Sequence, residues 1–221
     1  MDILIFILTA AGVLVAVILI SRHFDARRRE GMREAALRVG YRYAEKTESP
    51  YTPGLEGFAL FSSGRSRKTA NVMQGTAETA DLAVFDYRYV TGGGKNSHTY
   101  SQTVAHFRDR QLALPEFTLR PEGLLAKIGA AFGYQDIDFS SQPEFSAKYL
   151  LRGPNEEAIR RVFDLSVLFH FDHNPGWSVE GRSGQLVVYR HGKKVAPERI
   201  PEFIEQTTAI YRLFRESSMK F

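Results

Sequence analysis

Three short stretches hold residue types that could do chemistry. The first is Thr91-Gly92-Gly93-Gly94-Lys95-Asn96-Ser97. Glycines followed by lysine suggest a loop that wraps phosphates with backbone N–H groups. The spacing does not fit: such a loop needs glycine five positions before the Gly of Gly-Lys, where Tyr89 stands. It also needs Ser or Thr after the lysine, where Asn96 stands. Phosphate loops lead into a helix, whereas apolar alternation on both sides of this stretch makes it a hairpin tip. The second stretch is His170, Asp172 and His173. Two imidazoles at i and i+3 share a helix face and could bridge a metal, but the H-E-x-x-H spacing is absent and further ligands would have to come from elsewhere. Histidines at a helix C-terminus are also favoured by the helix dipole alone. The third is Asp136-Ile137-Asp138, an acidic pair of a kind that holds metals, and equally the outward face of a short strand. No metal or cofactor is expected from any of them.

The chain has no Cys, which excludes disulfides, thiolate metal sites and Cys nucleophiles. No G-x-S-x-G elbow offers a serine nucleophile. The net charge of +4 is small, and no basic stripe with interleaved aromatics marks a nucleic-acid surface. The expectation is a non-enzymatic protein. Its exposed basic groups, Arg65, Arg67, Lys68, Lys95 and His98, are the candidates for contact with a partner or with lipid headgroups.

The elements that must position these groups begin with an apolar run. Ile3 to Ile20 is 18 residues without a charge. As a helix it is about 27 Å long, close to the hydrocarbon thickness of a bilayer. A cleaved signal peptide would need a basic start and a small-residue cleavage site, and neither is present. No basic side chain precedes the run, whereas Arg22, Arg27, Arg28, Arg29 and Arg33 follow it. Basic flanks favour the cytoplasmic side. A single-pass protein of the inner (plasma) membrane is therefore expected, with its N-terminus outside and its body in the cytoplasm. Gly12 and Ala16 form a small-xxx-small pair that could bring two such helices together as a homo-oligomer. The expected division is an anchor over 1–22, a juxtamembrane helical stalk over 23–40 ending at Gly40, and an α+β domain over 41–221.

Within that domain, short strands are expected at Tyr41–Ala44, Phe58–Phe61 and Lys68–Gln74, with a loop over Ser49–Gly54. Leu82–Val90 alternates, placing Phe85, Tyr87 and Tyr89 on one face and Asp86 and Arg88 on the other, as in a half-buried strand. Thr99–Arg108 is its hairpin partner. Leu114–Phe117 reads as an edge or loop element, Phe117–Arg120 and Phe145–Arg152 as strands, and Gly123–Phe132 as a short helix. Helices follow Pro154 and Asp164, the latter a good N-cap. Trp177–Glu180 and Gln185–Arg190 make a second hairpin. Ile200, Phe203, Ile204, Thr207, Ile210, Tyr211 and Phe214 fall on one face of a final amphipathic helix. The fold class is α+β with a mainly antiparallel sheet.

The runs Val84–Tyr89, Thr91–Lys95, Gln102–Val104, Leu114–Glu122, Asp136–Phe139, Glu144-Phe145 and Trp177–Gly181, with Tyr149, resemble a group of uncharacterised bacterial single-pass membrane-anchored proteins. More distantly they resemble a larger bacterial family of unknown function. The resemblance covers roughly Tyr41 to Phe214. It implies a bacterial origin and a single domain, and it carries no catalytic residue. The function expected is a membrane-tethered interaction or scaffolding domain with a protein partner at the inner membrane. The alternatives are a lipid- or small-ligand-binding module on the aromatic face of the sheet, and a metal-dependent hydrolase.

Overall fold

Residues 2–44, 55–124 and 135–220 are described by the computed structural model. Helix α1 runs unbroken from Asp2 to Arg38. It stops because Gly40 turns left-handed at φ +72°. Gly40 N–H then donates to Leu37 O and Tyr41 N–H to Ala36 O, which satisfies two otherwise orphaned carbonyls. Among the described residues α1 is the one helix long and apolar enough to cross a membrane. From Phe6 to Ile20 its side chains are exposed.

After α1 the alternating segments become an eight-stranded, antiparallel sheet in the order β1-β2-β3-β4-β8-β7-β5-β6. The strands are β1 Arg42–Ala44, β2 Arg65–Ala77, β3 Ala80–Thr91, β4 His98–Arg108, β5 Leu114–Pro121, β6 Tyr149–Arg152, β7 Ser178–Ser183 and β8 Gln185–Tyr189. β3 and β4 stay in register from Asp81↔Arg108 to Thr91↔His98. The tip between them needs glycine at Gly92: φ is +71°, and a Cβ there would lie 2.1 Å from the Asn96 carbonyl oxygen. The helices are α2 Ala59–Ser62, α3 Pro143–Lys148, α4 Glu156–Val162, α5 Leu165–His173 and α6 Ile200–Ser218. Asp164 caps α5 through the backbone N–H groups of Ser166 and Val167. On α6, Ile200, Phe203, Thr207, Ile210, Tyr211 and Phe214 are buried, and Ile204 is partly so.

Three expected elements differ. Phe58–Phe61 is buried throughout and forms the turn of α2; an unbroken apolar run has no period to tell helix from strand. Phe145–Arg152 divides into α3 and β6, because Pro143 and Glu144 open a helix just upstream. Leu114–Arg120 is one strand, and it lies inside the sheet between β7 and β6. Pro115 is tolerated there because the register with β7 shifts between Leu114 and Phe117. The loop Ser49–Gly54 and most of Gly123–Phe132 lie outside the described residues.

The sheet is covered on both faces. One layer packs under α1 and α3 to α6, with Phe117, Phe163 and Phe214 in mutual ring contact. The other packs under α2. His106 lies in this second layer, its ring 6.2 Å from Phe58 and its Nε2 2.9 Å from Gln185 Oε1. Burial pushes its pKa from 6.5 down to about 4, against the opposing pull of the Gln185 hydrogen bond. The folded state thus keeps His106 neutral while the unfolded chain takes up a proton below 6.5. Stability is expected to fall by about 2 to 3 kcal/mol between pH 7.5 and 4.5 from this group. Urea unfolding of the full chain in mild detergent should show that loss shrinking in His106→Gln.

Candidate functional site

The most connected polar cluster lies where α1 meets the sheet. Asp86 is on β3, on the face under α1, and is 8% exposed. Arg28 of α1 grips it with both arms of its guanidinium, Nε to Oδ2 at 2.6 Å and Nη2 to Oδ1 at 2.7 Å. Asn71 Nδ2 donates to Oδ2 at 2.9 Å, and Thr103 Oγ1 to Oδ1 at 3.1 Å. Arg28 Nη1 also donates to Val195 O, while Val195 N–H donates to Thr103 Oγ1. Asn71 is placed by a left-handed backbone, φ +54°, where β2 slips register against β3. Tyr43 OH on β1 donates to its Oδ1 at 2.8 Å. One carboxylate on β3 thus joins α1, β2 and β4, and through Arg28 and Thr103 the chain before α6. A planar fork against a carboxylate is the strongest geometry for such a pair. With every lone pair of Asp86 occupied, the cluster holds structure and offers no free base.

Below this fork α1 lies flat on the body. Met32, Ala35 and Ala36 are fully buried. Gly31 passes so close to Pro197 that a Cβ would meet its ring at 2.9 Å, which accounts for a glycine in mid-helix. Two fixed points give the direction of α1. Arg28 sits at Asp86, and Tyr41, just past the helix, lies over Gly75 and donates to Thr76 O, opposite Leu82 and Asp81. The helix therefore runs against β3, and its apolar half leads toward the β3–β4 tip.

Of the arginines expected to set topology, Arg22 and Arg27 are exposed, Arg28 and Arg29 are half-buried, and Arg33 lies 3.8 Å from Glu30. No residue near Arg28 in sequence marks its partner, because Asp86 is 58 positions away. Arg65, Arg67, Lys68, Lys95 and His98 all come together at the end of the sheet that holds the tip. Arg65 reaches Gly92 O and Ser97 Oγ, bracing the tip. Arg67 donates to the carbonyls of Ser62, Ser63 and Gly64 at the end of α2. Lys68 stands opposite Arg88.

The possible metal groups take structural roles. His173 Nδ1 lies 2.9 Å from Phe169 O, Asp172 pairs with Lys148, and burial lowers the pKa of His170. Asp136 Oδ1 accepts from Ile137 N–H and Leu151 N–H, which ties the chain before α3 to β6. Among the described residues no three His, Asp or Glu side chains gather as a metal would require.

A second buried carboxylate lies on the opposite face. Glu180 on β7, 1% exposed, faces Arg120 at 3.3 Å, Tyr189 OH at 3.0 Å and Leu60 N–H at 3.1 Å. Burial and the Glu180 charge hold the Tyr189 hydroxyl protonated, so it remains a donor. Phe85, Tyr87 and Tyr89 point to this face, where Phe61 packs edge-on to Tyr87 at 4.7 Å and Phe58 beside Phe61.

No known protein family matches the sequence, and no curated protein does. A solved structure does resemble it: that of the mycobacterial trehalose monomycolate transport factor A. The TM-score is 0.57 at 16% identity, over 86% of this chain and 95% of that one. The likeness is one of fold.

Proposed function

We propose that this chain is a membrane-tethered, non-enzymatic interaction domain that works beside a protein partner at the inner membrane, its body on the cytoplasmic side. The observation that carries this reading is the double use of α1. Its exposed apolar half is built to cross a bilayer, and its Arg28–Ala36 half is part of the packing of the body. A removable leader would not supply a buried ion pair to the domain it precedes. The arginines after the apolar run support the orientation. The buried acids Asp86 and Glu180 are saturated by structural partners, as expected of a scaffold. The transport-factor name of the structural neighbour accords with an accessory role.

The test uses the absence of Cys from the chain. A single Cys placed at Glu205, an exposed position of α6, should resist a membrane-impermeant maleimide in intact cells and react after permeabilisation. Photo-crosslinkers at Leu165 and Phe169, large apolar side chains 65% and 60% exposed on α5, should give one discrete adduct with another membrane protein. Labelling in intact cells removes the cytoplasmic placement. Crosslinks to lipid or bulk protein alone remove the partner.

A further inference from the structure

We propose that the end of the body from which the apolar half of α1 emerges is a basic collar that seats on anionic phospholipid headgroups. This rests on the tethered reading above and adds the surface that the tether presses against the bilayer.

The geometry sets the level of the membrane. From Asp86 to Thr91 the strand advances about 16 Å at ~3.3 Å per residue. The same distance along α1 is about 11 residues at 1.5 Å each. Counted back from Arg28, this places the β3–β4 tip level with the last turns of the apolar run, near Val17. The groups between that level and Asp86 therefore lie at headgroup depth when α1 spans a bilayer.

Those groups are basic. Asp86 faces α1, so alternation puts Arg88 on the same side, and Lys68 stands directly opposite Arg88. Both are exposed. Like charges paired across strands repel and stabilise neither strand, so an outside anion accounts for them better than the fold does. Lys193 and Lys194 are exposed on the same side, on the loop whose Lys193 O accepts from Thr103 N–H. Among the described residues none of these four has a salt bridge. Arg22 and Arg27 of α1 complete the ring. Against them stand Asp25, on the same stretch of α1, and Glu56, just before α2. The surplus is positive, and the only large anionic surface at that depth is the leaflet itself.

The full-length chain in nanodiscs tests this, with an amine-reactive ester as footprint. Adding phosphatidylglycerol to phosphatidylcholine discs should lower the modification of Lys68, Lys193 and Lys194 by about fivefold, and high salt should restore it. Lys220, held by Asp164 at the far end of α6, should not change. The paired reversal Lys193→Glu and Lys194→Glu, both on an exposed loop, should lessen the protection of Lys68. Equal footprints in the two lipids overturn the collar, as does protection seen only when two chains share a disc. Either result leaves the maleimide and crosslinking outcomes intact, so the tether and partner reading stands or falls separately.

Discussion

Replacing Asp86 with alanine is expected to destabilise the full-length protein by about 3 to 5 kcal/mol, because it strands the half-buried Arg28 guanidinium without its counter-ion. The side chains of Arg28 and Asp86 are only 15% and 11% exposed, so solvent cannot substitute for the lost partner. Asn71 Nδ2 loses its acceptor as well, and Thr103 Oγ1 loses its own. Chemical denaturation in detergent measures the loss. A double-mutant cycle with Arg28→Ala separates the pair from its surroundings, and strong coupling is expected between positions so closely joined. The variant should also release the lower half of α1 from the body, opening the backbone beside the half-buried Arg28 and Arg29 to trypsin. A loss below about 1 kcal/mol would mean that the pair behaves as a solvated surface bridge and that α1 is held by apolar contact alone.

Glu180→Ala should cost a similar amount, about 3 to 5 kcal/mol, on the other face of the sheet. It leaves Arg120, 13% exposed, beside an empty site, and it takes the acceptor from the buried Tyr189 hydroxyl and from Leu60 N–H. α2 should loosen, since its backbone contact with β7 runs through this carboxylate. Glu180→Gln keeps an acceptor for Leu60 and Tyr189 and loses only the charge, so a smaller loss of about 1 to 3 kcal/mol is expected. The trypsin sites on α1 should stay protected in both. If Glu180→Ala exposes them, the two faces of the sheet are coupled and the buried acids are not independent supports.

The parts legible in the sequence were those written in local pattern. The alternation of Leu82–Val90, the Asp164 cap, the Gly40 stop and the buried face of α6 each rest on residues within a few positions of one another. What stayed hidden was long-range. Phe58–Phe61 has no period, and its helical form depends on a layer of rings supplied by β3. Phe145–Arg152 changes from helix to strand at Tyr149, where no glycine or proline marks the join. Asp86 looked like a polar residue on the open side of a half-buried strand. It is buried because α1 lies across it, and that fact depends on Arg28, from a segment whose arginines had a sufficient reason to exist in membrane topology. The aromatic set Phe85, Tyr87 and Tyr89 was correctly placed on one face, but its cover came from Phe58 and Phe61, read as a strand. For the candidate site, the basic groups at the tip were visible one by one; that they share one end of the sheet became visible only through the β2–β3–β4 register.

The unbroken course of α1 has a mechanical consequence. A helix in a bilayer adjusts to the thickness of the hydrocarbon by tilting. If α1 spans a bilayer as proposed, it is joined to the body without a hinge, by the Arg28 fork and the tight Gly31–Pro197 crossing. β3, twelve residues long, carries that motion from the tip to the far end of the sheet, about 36 Å from the tip at ~3.3 Å per residue. A change in tilt of about 10° about the tip would swing that end by about 6 Å, a displacement fixed by lever length and by typical helix tilts. In the tethered reading proposed above, leaflet thickness and the position of the body are geared to each other through a single helix.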